Sequence, residues 1–136
     1  MRKTTFIALM LLSFAASTGC RKDEPDPRDM FVATYSVTET WTENSKPMSK
    51  PAFTMSVEKA SQNDDEILLN NFADYGAGVT AEATVSGYFF NISQQTLPNL
   101  KAITGTGKTD GITLTFTYTE SINNTSIEIT ATAKKE

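Results

Sequence analysis

The sequence contains 136 residues, of which 39% are hydrophobic and 21% are charged, and its formal net charge is −4. This length fits one domain of ordinary size, and the composition argues against disorder throughout and against a bundle of membrane-spanning helices. The acidic balance argues against nucleic acid as a partner, because binding to phosphates requires a basic face.

The first 20 residues have the pattern of an export signal. Met1-Arg2-Lys3 is positively charged, and residues 6–16 are apolar except for Ser13. This apolar run is too short to cross a bilayer as a helix, which takes about 20 residues. Removal of residues 1–20 takes away Arg2 and Lys3 but no acid, so 10 basic and 16 acidic residues remain and the net charge becomes −6.

Residues 17–20 carry the most specific motif of the sequence. Ser17-Thr18-Gly19-Cys20 contains the only cysteine. It resembles the lipobox, at which the bacterial lipoprotein peptidase cleaves after diacylglycerol is attached to the thiol. The alternative is a chance free thiol or a cysteine that pairs between chains. We predict that residues 1–20 are a signal peptide ending at Cys20, and that the lipid on Cys20 anchors the protein in a membrane.

The residues behind Cys20 indicate an address. Lys22, Asp23 and Glu24 resemble the export signal of Bacteroidetes lipoproteins, a lysine followed by two acidic residues just behind the lipidated cysteine. The resemblance implies a lipid-anchored location in the outer membrane, facing the cell exterior. The alternative is a charged segment that simply stays solvated. Pro25 and Pro27 disfavour a helix, so we predict a flexible tether over residues 21–29 and a folded domain over residues 30–136.

Alternation of apolar and polar side chains predicts eight short strands in the domain. In chain order they cover residues 31–41, 53–57, 66–72, 79–85, 88–92, 101–107, 112–118 and 127–133. Segments rich in Gly, Pro, Asn, Asp and Ser separate them, including a predicted loop at residues 44–51 and a strong hairpin signal at Asp110-Gly111. No long segment has the apolar spacing of a helix. We predict an all-β fold, an antiparallel eight-stranded up-and-down barrel, with a two-sheet β-sandwich as the alternative.

Two residues break the alternation. Glu39 lies on the apolar side of the first strand, and we interpret it as an exposed residue at the barrel mouth, with a pocket-lining ligand contact as the alternative. Phe89 lies on the side opposite to its neighbours Tyr88 and Phe90. It is either an exposed contact residue or a cover over a seam between strands.

Three segments together resemble the small lipocalin-like, or calycin-like, lipoproteins of Bacteroidetes. They are Met30 to Val37, Gly105-Thr106-Gly107 and Ile112 to Tyr118. The resemblance implies an eight-stranded barrel able to hold one small apolar ligand at its mouth, and no established catalytic site. Lipocalins proper begin strand one with Gly-x-Trp, whereas this sequence has Ala33-Thr34-Tyr35 at that place.

The side chains available for chemistry are restricted. The sequence has no histidine, and lipidation would consume Cys20, which removes the commonest general base, cysteine nucleophiles and histidine-rich metal sites. The densest acidic cluster is Asp64-Asp65-Glu66, which we interpret as a solvated turn, with Ca²⁺ binding as the alternative. We predict that the protein is not an enzyme and that it uses no cofactor and no metal.

Two functions fit these observations. The first is a non-catalytic interaction or accessory protein that contacts a protein or polymer at the cell surface, with Phe89 as a candidate contact. The second is a carrier of a small hydrophobic ligand in the barrel. The candidate ligand-binding residues are Tyr35, Trp41, Tyr88, Phe90, Phe116 and Tyr118. The alternative role for each of these aromatic residues is packing in the core.

Overall fold

Eight antiparallel strands follow one another around a closed barrel, and the first strand pairs with the last. The structure is a computed structural model, and it describes residues 24–136. The strands are β1 (Ala33–Glu43), β2 (Lys46–Lys59), β3 (Glu66–Asn70), β4 (Thr80–Ser86), β5 (Phe89–Thr96), β6 (Ala102–Thr109), β7 (Thr113–Ile122) and β8 (Thr125–Lys135), with 3-10 helices η1 (Pro27–Met30) and η2 (Phe72–Asp74). The predicted barrel is confirmed, and closure between β1 and β8 excludes the sandwich.

The apolar side chains of the alternating pattern point into the barrel and form its core. In β7, Leu114, Phe116 and Tyr118 are buried, while the threonines between them form the outer surface. Threonine suits that surface because its branched side chain packs well on a pleated strand. The same division runs along the other strands, so one continuous apolar core fills the interior.

The barrel has two ends, which differ in the chain segments that cover them. The entry end, where the chain enters the domain, carries η1, the connection at residues 60–65, and the turns at residues 87–88 and 110–112. The far end carries η2 in the connection at residues 71–79, the connection at residues 97–101, and the turns at residues 44–45 and 123–124.

The tether predicted over residues 21–29 does not extend to residue 29, because the chain is folded against the barrel from Asp26 onward. Asp26 caps η1 by accepting a hydrogen bond from the backbone N–H of Arg28 at 2.9 Å, and proline at the first helical position favours this start. The guanidinium of Arg28 donates to the carbonyl oxygens of Asn63 at 2.8 Å and Ala60 at 3.2 Å. Hydrogen bonds from Arg28 hold the pKa of Asp26 well below its usual value.

The predicted loop at residues 44–51 is also wrong, because β1 and β2 form a long hairpin with a two-residue turn. Asn44 and Ser45 both have positive φ, 49° and 63°, which is the backbone that such tight hairpin turns require. Pro47 and Pro51 lie in β2 where it runs along β1 but not yet along β3, which pairs with it only from Ser56. A strand edge without a second partner tolerates proline, since no ladder hydrogen bond is lost there.

Gly107 in β6 makes room for the core on the inner side of the sheet. A Cβ atom at Gly107 would lie 2.3 Å from Cζ of Phe90 and 2.5 Å from Cβ of Phe116. Any side chain here would therefore displace one of these rings. Glycine is needed here because of that close approach.

Candidate functional site

Four of the six predicted ligand-binding residues lie inside the barrel and contact one another or other core residues. Tyr35, Phe90, Phe116 and Tyr118 are all at most 3% exposed. The ring of Phe116 lies 5.8 Å from that of Phe90 and 6.1 Å from that of Tyr118. These contacts are those of a packed aromatic core.

Two aromatic side chains cover the two ends of this core, Phe31 directly after η1 and Phe72 in η2. At the entry end, Phe31 packs its ring edge-on against Phe90, with centroids 5.8 Å apart. At the far end, Phe72 of η2 packs against Tyr118 at 4.8 Å and Phe116 at 6.3 Å. Both Phe31 and Phe72 are fully buried. The barrel interior is thus filled between its two covers.

The other two predicted ligand-binding residues are not in the interior core. Tyr88 is 60% exposed, because Gly87 and Tyr88 are the two turn residues between Ser86 and Phe89, which pair with each other. The prediction that Tyr88 faces inward is wrong for this reason. Trp41 is half-buried and packs against the rim of the core. It also lines a surface groove of 620 Å³ together with Met48 and Ile127.

The far end contains a buried charge that the sequence reading placed in solvent. Glu39 is 1% exposed. Its Oε1 accepts a hydrogen bond from the Tyr118 hydroxyl at 2.9 Å, and its Oε2 lies 2.9 Å from Nζ of Lys50, an ion pair without hydrogen-bond geometry. Both predicted roles for Glu39, an exposed mouth residue and a pocket-lining ligand contact, are replaced by this internal pair.

A β-bulge brings Lys50 to Glu39. Val37 of β1 lies opposite Phe53 of β2, but Glu39 lies opposite Lys50, so β2 carries one extra residue between these two pairs. In a regular ladder Pro51 would face Glu39. Lys50 also donates to the carbonyl oxygen of Ala73 at 2.6 Å, and the left-handed φ of 55° at Ala73 belongs to the irregular backbone of η2.

A second ion pair lies beside the first. Lys101, which precedes β6, contacts Glu120 of β7 at 2.5 Å, and its Nζ lies 4.5 Å from the ring centroid of Tyr75. Burial raises the pKa of Glu120, and the nearby Glu39 adds to this shift while Lys50 opposes it. Burial and the charge of Lys50 lower the pKa of Lys101. Burial therefore disfavours the charged forms of both Lys101 and Glu120.

We define the polar cluster as Glu39, Lys50, Lys101, Tyr118 and Glu120. The sequence singled out two of its members, Glu39 as a break in the alternation and Tyr118 as a candidate ligand-binding residue, and it did not indicate the other three. Glu120 continues the inward positions of Phe116 and Tyr118, so its signal was the same broken alternation that singled out Glu39. Lys50 had no such signal, because the bulge in β2 changes the side on which it lies. Lys101 lies in a connection, where alternation carries no information.

Phe89 is exposed, as its predicted role of an exposed contact residue requires. Its side chain is 62% exposed and lines a groove of 470 Å³ on the outer surface of β4 to β7. The groove follows the strand that carries Gly107, between Thr84 on one side and Thr115 and Thr117 on the other. Phe89 is therefore available for contact with another molecule.

The acidic turn shows no arrangement for a cation. Asp64 and Asp65 are exposed, and Glu66 accepts a hydrogen bond from the side chain of Asn63 at 3.1 Å. Among residues 24–136, no three aspartate, glutamate, histidine or cysteine side chains are grouped so that they could hold a metal ion.

Comparison with known proteins gives a fold likeness. No protein family and no curated protein matches the sequence. The structure is similar to that of a proposed outer membrane protein from Bacteroides fragilis, with a TM-score of 0.50 and 20% sequence identity over 82% of this chain and 53% of that chain. This chain thus spans about half the length of that protein, and at this identity the likeness concerns the fold alone. The resemblance to lipocalin-like lipoproteins stays a prediction.

The predicted membrane anchor and most of the export signal cannot be located in the fold. Cys20, Lys22 and Asp23 lie outside the described residues, and Glu24 is exposed at their border. In the part of the chain that the structure describes, no helix has both the length and the apolar character to cross a bilayer.

Proposed function

We propose that this protein is a lipid-anchored accessory protein of the outer membrane, displayed at the cell surface, which acts through contacts with other molecules and not through catalysis. The observation that carries the proposal is the filled and covered interior of the barrel. Phe31 and Phe72 cover the two ends, and the rings of Phe90 and Phe116 occupy the space between them. Contacts with partners therefore fall to the outer surface.

The proposed location is supported by the start of the sequence. A positive segment, a short apolar run and a lipobox-like motif precede Cys20, and acidic residues follow Lys22 as in the Bacteroidetes export signal. The likeness in fold to a proposed outer membrane protein of Bacteroides fragilis agrees with this location.

The non-catalytic role is supported by how the ionisable side chains are used. At the far end the buried charge of Glu39 is paired with Lys50, and the half-buried charges of Glu120 and Lys101 are paired with each other. The carrier hypothesis receives less support, because the rings of Phe90, Phe116 and Tyr118 pack against one another and against Phe72, so they are not free to contact a ligand.

The anchor is tested by growing cells on an alkyne-labelled fatty acid. We expect the label on the wild-type protein and none on the Cys20→Ser variant, since the thiol is the attachment point. The triple change of Lys22, Asp23 and Glu24 to alanine should keep the label but lose cleavage by protease added to intact cells, whereas Arg21→Ala should keep both. Label on the Cys20→Ser variant would contradict the proposed anchor.

The accessory role is tested by native mass spectrometry of the protein extracted gently from its own membranes. A domain without a small molecule, alone or with another protein, is the expected result. A stoichiometric small-molecule mass on the domain would contradict the proposal and favour the carrier.

A further inference from the structure

We propose that the entry end of the barrel rests on the lipid surface in which Cys20 is anchored, with Tyr88, Phe89 and Ile112 in the headgroup region. This inference rests on the lipid anchor of the proposed function. It adds the orientation of the barrel and names the side chains that contact lipid.

Only a short length of chain lies between the anchor and the folded domain. Asp26 is fixed to the barrel, since Arg28 and Lys59 both contact its carboxylate. Five residues lie between Cys20 and Asp26, and even a fully extended chain spans at most about 22 Å over these six steps. The entry end is thus held close to the membrane, while the far end is a barrel length away.

Large apolar side chains are exposed at this same end. Tyr88 is 60%, Phe89 62% and Ile112 69% exposed, and all three lie in or beside the two turns that form the rim of the entry end. Exposed aliphatic side chains such as Leu100 occur at the far end as well, but among residues 24–136 the exposed aromatic side chains, Tyr88 and Phe89, both lie at the entry end. An exposed apolar rim of this kind indicates a contact surface.

Hydrogen bonds hold the backbone of these two turns in place. The N–H of Thr109 donates to the carbonyl oxygen of Tyr88 at 2.9 Å, which ties the first turn to the end of β6. The N–H of Lys135 donates to the carbonyl oxygen of Ile112 at 3.1 Å, and Asp110 accepts a hydrogen bond from the N–H of Ile112 at 2.9 Å. The backbone is therefore satisfied, and the side chains are left projecting outward from a fixed rim.

The exposed side chains of this rim have the chemistry of a contact with lipid. Tyrosine is enriched at the boundary between lipid headgroups and acyl chains, because its ring buries apolar surface while its hydroxyl stays hydrated. Phenylalanine buries apolar surface at the same boundary. The groove of 470 Å³ begins at this rim, since Phe89 is the first residue of β5 and Lys108 is the penultimate residue of β6. A lipid surface fits an apolar rim that the chain itself holds near the membrane.

Charge at the entry end does not favour an anionic surface. Lys108 lies beside Phe89, but Asp110 and the acidic residues 64–66 belong to the same end. We therefore expect the contact to form on zwitterionic lipid and to need no anionic lipid.

The experiment uses the lipidated full-length protein in phosphatidylcholine vesicles with or without bromine on the acyl chains, which quenches nearby tryptophan. Trp41, the only tryptophan, lies on β1 toward the far end and serves as the native control. Reporters are Tyr88→Trp and Ile112→Trp, each combined with Trp41→Phe. The matched control is Leu100→Trp with Trp41→Phe, because Leu100 is 78% exposed at the far end.

We expect the brominated lipid to quench the Tyr88→Trp and Ile112→Trp reporters and to shift their emission to shorter wavelengths, with Trp41 and the Leu100→Trp reporter unchanged. If Trp41→Phe impairs folding, the same reporters are read as a difference from the protein that keeps Trp41.

Three results would overturn the inference. Flotation with the vesicles without quenching at Tyr88→Trp and Ile112→Trp would refute the contact and leave the anchor standing, whereas failure to float would refute both. Reporters shielded from aqueous quencher in native membranes, but not quenched by brominated lipid in vesicles, would place a protein partner on this rim instead.

Discussion

The two ends of the barrel are covered by different chemistry. At the entry end the cover is apolar, since Phe31 packs against Phe90, and the ion pairs of Asp26, Arg28 and Lys59 lie outside the core. At the far end a carboxylate is buried within the barrel and is balanced by Lys50. One end is thus stabilised by packing, and the other depends on a compensated charge.

Each end also holds one buried tyrosine hydroxyl, so the two ends can be compared by the acceptor of the same donor group. Tyr35 donates to the carbonyl oxygen of Phe31 at 2.7 Å at the entry end, and Tyr118 donates to the Glu39 carboxylate at 2.9 Å at the far end. The acceptors differ in charge while the donors are the same. The same donor group therefore satisfies a backbone carbonyl at one end and compensates a buried charge at the other.

The largest expected effect comes from removing the cation at the far end. Lys50→Met leaves Glu39 buried without its ion pair and should lower the free energy of unfolding by about 3–5 kcal/mol, as measured by urea denaturation. The double variant Glu39→Gln/Lys50→Met removes both charges but keeps an acceptor for the Tyr118 hydroxyl, and it should recover most of this loss. A loss below about 1 kcal/mol in the single variant, the range of an exposed pair, would contradict the buried role of Glu39.

Alkaline pH should weaken both ends through the two tyrosines. Burial raises the pKa of Tyr35 from 10.0 to about 12, and burial together with the Glu39 charge raises the pKa of Tyr118 further. Because the unfolded chain loses these protons first, the stabilisation is complete below pH 10 and is lost as pH rises towards 12.

For Tyr35 this shift corresponds to about 3 kcal/mol. Urea denaturation at pH 10 and at pH 12 should show a smaller loss of stability in Tyr35→Phe than in the wild type. An equal loss in the two proteins would show that Tyr35 ionises as easily in the folded state as in the unfolded chain.

Removing the hydroxyls one at a time separates the ends at neutral pH. We expect Tyr118→Phe to cost about 1.5–3 kcal/mol, because it takes a hydrogen bond from a charged group, and Tyr35→Phe to cost about 0.5–1.5 kcal/mol, because its acceptor is a neutral carbonyl. The measurement is the free energy of unfolding of each variant against the wild type. Equal costs would remove the distinction between the two ends.

The smallest effect on stability is expected at the rim of the entry end. Phe89→Ala should change the free energy of unfolding by less than about 0.5 kcal/mol, since the side chain is mostly exposed. Its neighbour Phe90 is the matched control, and Phe90→Ala should cost about 3–5 kcal/mol because that ring is buried. A drop of several degrees in the melting temperature of Phe89→Ala would show that the ring supports the fold.

The sequence was sufficient to predict the barrel because alternation needs only local order. In β7, Leu114, Phe116 and Tyr118 alternate with threonine, and the strand lies where the pattern predicts it. The prediction of which side chains face inward failed where a turn or a bulge interrupts the regular alternation. Tyr88 falls in a two-residue turn, and the bulge in β2 turns Lys50 toward Glu39.

The polar cluster needed information that no single strand contains. Glu39 looked out of place on an apolar face, and a solvent-exposed position was the simplest physical solution for a lone charge. Its partners come from β2 and β7, so that only the closed barrel shows how the charge is balanced.

The seam between β1 and β8 has a consequence for the order of folding. Every other pair of neighbouring strands is a hairpin of adjacent segments, whereas Thr38 and Thr132, which pair across the seam, are 94 residues apart. Contacts between distant segments form slowly because a long loop must first close. We expect closure of the seam to limit the folding rate, so that β1 and β8 keep free edges, and Glu39 stays hydrated, until the last strand is in place.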